Sequence, residues 1–268
     1  CLNLWNPDVK QYLFDTIRFW VDTFDIDGIR LDCANVLDFG FMKELRSQTS
    51  AMKDDFWLMG EVIHGDYSRW VNDEMLHSVT NYELHKSIYS GHNDHNYFEI
   101  AHNVRRLEAI GGRLYTFVDN HDEDRIASKL NDPEHLYPVY TLLFTLPGIP
   151  SIYYGGEWGI EGRRTKTSDD ALRPRITIAD EEKLHCGLTD LIARLGTIHD
   201  ENPEFHGGRY QELLLTNRQY AFARFHQGHA VITAVNNDGA DVSVAIPCPV
   251  SGTTAVNLLD GEEYPVTD

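Results

Sequence analysis

The chain has 268 residues, with 42 Asp and Glu against 23 Lys and Arg, and a formal net charge of −19. That balance disfavours nucleic acid or an anionic membrane surface as a partner and suits a neutral substrate such as a sugar. No stretch approaches the ~20 apolar residues of a membrane span, no secretory signal opens the chain, and the length allows one large domain or two.

Asn6-Pro7 predicts a helix start, with Asn as N-cap and Pro in the first helical position. Val9, Leu13, Ile17, Trp20, Val21 and Phe24 then recur at helical spacing. Residues 26–32 follow as a strand ending in Asp32. Residues 41–52 read as a helix, and 56–61 as a second strand ending in Glu61. Residues 76–80 give a weaker strand. Helical pattern returns over 100–110 and closes at Gly111-Gly112. Residues 114–122 read as a third strand ending in an acid, Asp122; 133–146 as a helix, 150–154 as a short strand and 181–199 as a helix. Strands alternating with helices at near-regular spacing, five units in all, predict an α/β fold with a parallel sheet. From Gly208 the pattern changes. Residues 220–225, 230–235 and 242–246 read as antiparallel strands, with Asn236-Asn237-Asp238-Gly239 as a hairpin turn. The expected division is 1–204 for the α/β part and 205–268 for a small β domain. Trp5, Trp20 and Trp57 read as core, as does Trp158, which could instead rim a cleft. The four cysteines, Cys1, Cys33, Cys186 and Cys248, form no CxxC pair and favour a reduced, cytoplasmic setting.

Asp32, Glu61 and Asp122 carry the most information. In a parallel barrel, acids at successive strand ends converge on one face, and breaking a glycosidic bond requires a pair of carboxylates. Strand alternation puts Arg30 and Asp32 on one face, about 6–7 Å apart along the strand. Such a cation keeps a nucleophilic carboxylate ionised; it can equally be a structural Arg–Asp pair. Glu61 would need a raised pKa to serve as a general acid, and burial with neighbouring carboxylates would supply it. The plainer alternative is a helix cap. Asp119-Asn120-His121-Asp122-Glu123-Asp124-Arg125 reads as a third acid with a sugar-binding His, a solvated charge run, or a calcium loop without the Gly and distal Glu of an EF-hand. His92, His95, Glu99 and His102 are spaced loosely enough to read as a solvated loop entering a helix.

Together these motifs resemble the α-amylase family of glycoside hydrolases. Asp27-Gly28-Ile29-Arg30-Leu31-Asp32, Gly60-Glu61-Val62 and Asn120-His121-Asp122 stand in that family's order, and residues 146–155 are similar to its last-strand motif. Leu31-Asp32-Cys33-Ala34-Asn35 and Gly60-Glu61-Val62-Ile63-His64 look most like the cyclomaltodextrinase and neopullulanase branch. The resemblance implies a TIM-type (β/α) barrel, of which about five of eight strand–helix units are present, followed by a small antiparallel β domain. It implies Asp32 as nucleophile, Glu61 as acid/base and Asp122 as transition-state stabiliser. Arg30, Asn120, His121 and His64 would contact substrate, an α-glucan oligosaccharide. The family's early Asp-x-x-x-Asn-His motif has no match, so the chain reads as the C-terminal part of a longer enzyme, inactive and self-associating when alone. Many relatives carry a calcium-linked His four residues after the nucleophile. Here that residue is Val36, so no cofactor or metal is expected. A transglycosylase is the near alternative. A non-catalytic amylase-like protein would usually have lost one of the acids, and a nucleotide-binding α/β protein should carry a GxGxxG or P-loop after a strand, which is not found.

Overall fold

In a computed structural model of the chain, which describes residues 2–252 and 254–266, two compact units separate. They are Cys1–Glu83 with Arg113–Tyr115, and Leu84–Gly112 with Thr116–Asp268. Cys1 lies outside the described residues; Cys33, Cys186 and Cys248 are free thiols.

The first unit begins with helix α1 (Pro7–Phe24), whose Asn6 cap accepts the Asp8 N–H at 2.9 Å. The helix stops at Asp25, which turns left-handed with φ 52°. Strand β1 (Gly28–Leu31) follows, then helix α2 (Phe39–Met52), capped by Asp38 on the Phe41 N–H. Strand β2 (Trp57–Gly60) pairs in parallel with β1, Leu31 opposite Gly60. Strand β3 (Ser78–Val79) pairs in parallel with β2, and Thr80 bridges Tyr115 in parallel. Phe14 stacks on Phe41 at 5.8 Å and ties α1 to α2. The connection from β2 to β3 holds only a 3-10 turn at Tyr67–Arg69, so the strand–helix alternation is less regular than the sequence suggests. Trp5 and Trp20 are not core: Trp5 is 79% exposed, and Phe19, Trp20 and Phe24 line an exposed face of α1. Helical periodicity marks an apolar face without saying what covers it.

The second unit holds α3 (Tyr82–Asn93, its first residues belonging to the first unit), α4 (Tyr97–Arg106), α5 (Ile126–Lys129) and α6 (Leu136–Thr145). Strand β4 (Tyr115–Thr116) pairs with β5 (Ile149–Pro150), through Ser151 N–H to the Thr116 carbonyl at 2.9 Å. The predicted helix over 181–199 is two helices, α7 (Ile178–Leu184) and α8 (Gly187–Glu201), because His185 leaves the helical conformation at ψ 130°, Cys186 is extended and Thr189 Oγ1 caps the Cys186 N–H at 3.1 Å. Leu142, Leu143, Leu188, Ile192 and Leu195 meet in one buried cluster with Tyr97, Ile100, Tyr220 and Phe222.

A three-stranded antiparallel sheet follows: β6 (Arg209–Leu215), β7 (Gln219–His226) and β8 (His229–Asn236). Gln227 and Gly228, at φ 48° and 87°, make the two-residue turn between β7 and β8. Both left-handed values belong to the turn type whose twist matches paired strands. The hairpin turn expected at 236–239 joins no strands, because 242–246 is not a strand: Val242 and Val244 are exposed at 46% and 41% and pair with nothing among the described residues. Two short strands, β9 (Thr254–Val256) and β10 (Glu263–Pro265), pair with each other instead.

Candidate active site

Asp32 and Glu61 are the next residues in register after Leu31 opposite Gly60, so both acids emerge from the same end of a parallel pair. The ladder continues through them: the Glu61 N–H donates to the Leu31 carbonyl at 2.8 Å, and the Ala34 N–H to the Glu61 carbonyl at 2.8 Å. Gly60 is required by close approach. A Cβ there would lie 2.6 Å from Leu76 Cδ1 and 2.8 Å from Ala34 Cβ.

Arg30 joins the two acids. Its Nη1 lies 2.9 Å from Asp32 Oδ1 and its Nη2 3.0 Å from Glu61 Oε1. The side chains of Asp32 and Glu61 differ sharply in exposure, 74% against 7%. Donation from the Arg30 guanidinium holds the Asp32 carboxyl below the usual carboxylate range. Glu61 accepts at Oε2 from the Cys33 N–H at 3.1 Å and at Oε1 from Tyr82 Oη at 3.4 Å. The sequence leads one to expect carboxylates around Glu61; in the fold its contacts also include a cation and two other donors. One donor atom each from Asp32, Cys33 and Glu61 lies within 4.8 Å of the others. The Cys33 thiol is exposed, and the charge of Asp32 pushes its pKa up. Its backbone is left-handed, φ 46°, and its N–H donates to Glu61. His64 is exposed in the loop after β2, and Val36, 64% exposed, sits in a short turn after Asp32.

In the second unit, Asp122 is not at a strand end. β4 stops at Thr116, and Asp122 lies in a loop shaped by its neighbours. Asn120 Oδ1 accepts the N–H groups of Asp122 and Glu123, both at 2.9 Å. Asp119 Oδ2 accepts the Ile126 N–H at 3.0 Å, and Arg125 is fully buried. The segment is therefore no solvated charge run: its first and last residues are interior. His121 Nε2 lies 3.0 Å from Asp122 Oδ2, and Arg173 Nη2 lies 3.1 Å from Asp122 Oδ1 and 2.8 Å from Asp169 Oδ2. Arg173 Nε also donates to the His121 carbonyl at 3.1 Å. Arg173 carries no sequence signal, since it is 51 residues from its partner and lies in no regular helix or strand.

The histidine cluster is also different from expectation. His92 is buried in the last turn of α3, its ring nitrogens 2.7 Å from the Ile88 carbonyl and 3.2 Å from Tyr97 Oη. Burial lowers its pKa to about 4. His95 Nδ1 contacts the Asn237 carbonyl at 2.8 Å.

Parallel strands that end in a clamped carboxylate pair put the candidate chemistry at strand C-termini, as in α/β barrels. The family model of the alpha amylase catalytic domain matches residues 1–183, and the chain belongs to that family. It is 35% identical over 270 residues to a maltogenic alpha-amylase of Bacillus acidopullulyticus, covering 96% of this chain and 45% of that protein. It is 31% identical to neopullulanase 2 of Thermoactinomyces vulgaris, with the same two coverages, and 30% identical to a cyclomaltodextrinase of Thermoanaerobacter pseudethanolicus, covering 87% of this chain and 41% of that one. The chain thus spans less than half the length of these curated relatives. An Anoxybacillus alpha-amylase structure superposes with a TM-score of 0.87 at 26% identity, over 100% of this chain and 60% of that one. The fold is the family's TIM-barrel fold. No helix among the described residues is long and apolar enough to cross a membrane.

Proposed function

We propose that this chain carries the reacting groups of a retaining α-glucan hydrolase. The observation that carries the reading is the Arg30 clamp, which holds an exposed, acid-strengthened Asp32 beside a buried Glu61 with oxygens within 4.8 Å of each other. Retaining enzymes keep their two carboxyls close, about 5–5.5 Å apart. Asp32 attacks the anomeric carbon while Glu61 gives its proton to the leaving glycosidic oxygen. Glu61, now a carboxylate, takes a proton from water, and the water displaces Asp32 to release the sugar. Asp122, flanked by His121 and Arg173, is assigned the oxocarbenium-stabilising role by its place in the family's Asn-His-Asp motif. His64, Arg30, Asn120 and His121 are assigned to substrate contact on the same ground.

The names of the relatives support maltodextrins and cyclodextrins as the substrate class. The likeness to an intracellular maltogenic amylase of Bacillus subtilis, 28% identical over 251 residues, supports a cytoplasmic setting. A transglycosylase is the second reading, favoured by 24% identity over 280 residues to a cyclomaltodextrin glucanotransferase of Geobacillus stearothermophilus; a sugar hydroxyl then replaces the water. We assign residues 1–204 to about five strand–helix units of the barrel and 205–268 to a β domain. Nothing in the composition invites nucleic acid or a membrane. The exposed aromatic face of α1 supports self-association of the isolated chain, which light scattering would detect.

The test is the anomer first released from a maltooligosaccharide by the complete enzyme. Proton NMR should show the α-anomer; initial β-anomer would overturn the double displacement. Disproportionation products at high substrate would favour the transglycosylase.

A further inference from the structure

Lys129, the last residue of α5, is enclosed by three groups of the second unit. Its Nζ lies 2.6 Å from Glu123 Oε2 and 3.1 Å from His85 Nε2, and stands 4.5 Å from the centre of the Tyr89 ring, over its face. The lysine side chain is 13% exposed and His85 is buried, while Glu123 stays about one-third open at 33%. His85 and Tyr89 lie four residues apart on α3, hence on one face of that helix. The His85 ring also stacks on Phe117, with centroids 5.0 Å apart. The Asn93 side-chain amide donates to the Lys129 carbonyl at 2.8 Å, so α3 and α5 are joined twice.

The partners determine the protons. An ammonium can only donate, so His85 Nε2 accepts from it, and the ring is neutral with its proton on Nδ1. Burial lowers the His85 pKa, in agreement. Glu123 Oε2 and His85 Nε2 are 3.6 Å apart, two acceptors turned toward one cation. A carboxylate held in this way is a fixed point. Moving it away would leave a mostly buried ammonium with only a neutral ring and an aromatic face as partners, and a buried charge without its counter-charge is costly.

We infer that Glu123 is a positioning residue for Asp122, holding that acid in place through Lys129 and His85. This rests on the proposed role of Asp122 as the group that faces the oxocarbenium-like charge. The two residues are neighbours, and both their N–H groups donate to Asn120 Oδ1 at 2.9 Å, so their backbones are fixed by one turn. Their carboxylates then go to different cations, Asp122 to Arg173 at 3.1 Å and Glu123 to Lys129. Arg173 comes from an irregular segment and its side chain is 45% exposed, whereas Lys129 closes a helix that is tied to α3. The better-shielded anchor of the loop is therefore the one on Glu123. Precision matters at Asp122, because a misplacement of about 1 Å in a reacting constellation can cost roughly 10²-fold in rate.

Glu123→Ala and Lys129→Met in the complete enzyme should each lower kcat on a maltooligosaccharide by about 10–10²-fold while KM stays within about 3-fold, the pattern of an interaction lost in the transition state. The double variant should fall no more than about 3-fold below the worse single, because both changes release the same contact. Each assay is run below the variant's unfolding midpoint, so that a loss of stability alone leaves kcat in place. A kcat within about 3-fold of the unchanged enzyme in Glu123→Ala would overturn the positioning role whatever happens to Tm, and so would losses that multiply in the double variant. Asp122→Asn is measured beside them. If it is inactive while Glu123→Ala turns over normally, the positioning alone fails. If Asp122→Asn is itself active, the role assigned to Asp122 fails and this inference with it.

Discussion

The backbone N–H of Cys33 donates to Oε2 of Glu61 at 3.1 Å. The residue that follows one acid on the chain is thus tied to the side chain of the other. With Ala34 N–H on the Glu61 carbonyl at 2.8 Å, the relative placement of Asp32 and Glu61 is fixed by backbone as well as by the Arg30 guanidinium. A site held this way should tolerate changes of side chain at 33 better than changes of backbone geometry at 60.

Asp32→Asn in the complete enzyme should lower kcat/KM on maltooligosaccharides by about 10³-fold or more, about 4 kcal/mol of barrier. Asp32 is largely exposed, so Tm should move little. Near-normal turnover by this variant would remove Asp32 from the nucleophile's place.

Arg30→Met removes the cation that lowers the Asp32 pKa. The carboxyl should then titrate at a higher pH, so the acid limb of the kcat/KM profile should move upward in pH, with a loss of roughly 10²-fold at the optimum. An unmoved acid limb would show that Arg30 acts on binding alone.

Gly60→Ala should destabilise by about 1–3 kcal/mol, the cost of inserting a methyl into a filled space. The Ala34 Cβ at 2.8 Å cannot rotate away, although Leu76 can. Thermal unfolding measures the cost. Activity should fall further than stability predicts, because the displaced residue adjoins Glu61.

His92 gives a pH dependence of stability. Its folded pKa of about 4 lies below the ordinary 6.5, so the fold favours the neutral ring. The contribution is complete above about pH 6.5 and disappears as pH falls towards 4, amounting to about 3 kcal/mol at most. His92→Asn should flatten the fall of Tm between pH 6.5 and 4. An unchanged slope would assign the acid sensitivity to other buried groups, His85 and His135 among them.

Chelation should leave the complete enzyme fully active, because the Val36 side chain offers no ligand at the position where the family resemblance implies a calcium-linked His. Activity lost to a chelator and restored by calcium would show a metal requirement met elsewhere.

Much of this was legible in the sequence because it depends on local period. The strands ending in Asp32 and Glu61 stand out as short apolar runs, and Arg30 shares a face with Asp32 by simple alternation. What failed depends on partners. Residues 117 and 118 are apolar and look like strand, but the pairing of β4 with β5 has ended, and Asn120 bends the chain instead. Residues 242–246 alternate correctly but pair with no strand among the described residues. Gln227 carries no turn signature, yet it adopts the left-handed conformation next to Gly228, where the strands needed to reverse. Arg173 was invisible because an irregular segment has no period to read.

That reversal at Gln227–Gly228 bears on the order in which the chain acquires structure. Phe225 meets Ala230 and His226 meets His229, so the first contacts of this sheet close over very few residues. Gly28 must find Trp57 across α2 before Asp32 and Glu61 can be neighbours. Short closures lose little chain entropy and hairpins form in about 1–10 μs, whereas parallel pairing waits on its long crossover. The segment a ribosome would finish later is therefore the faster to order, and the carboxylate pair is assembled by the slower step.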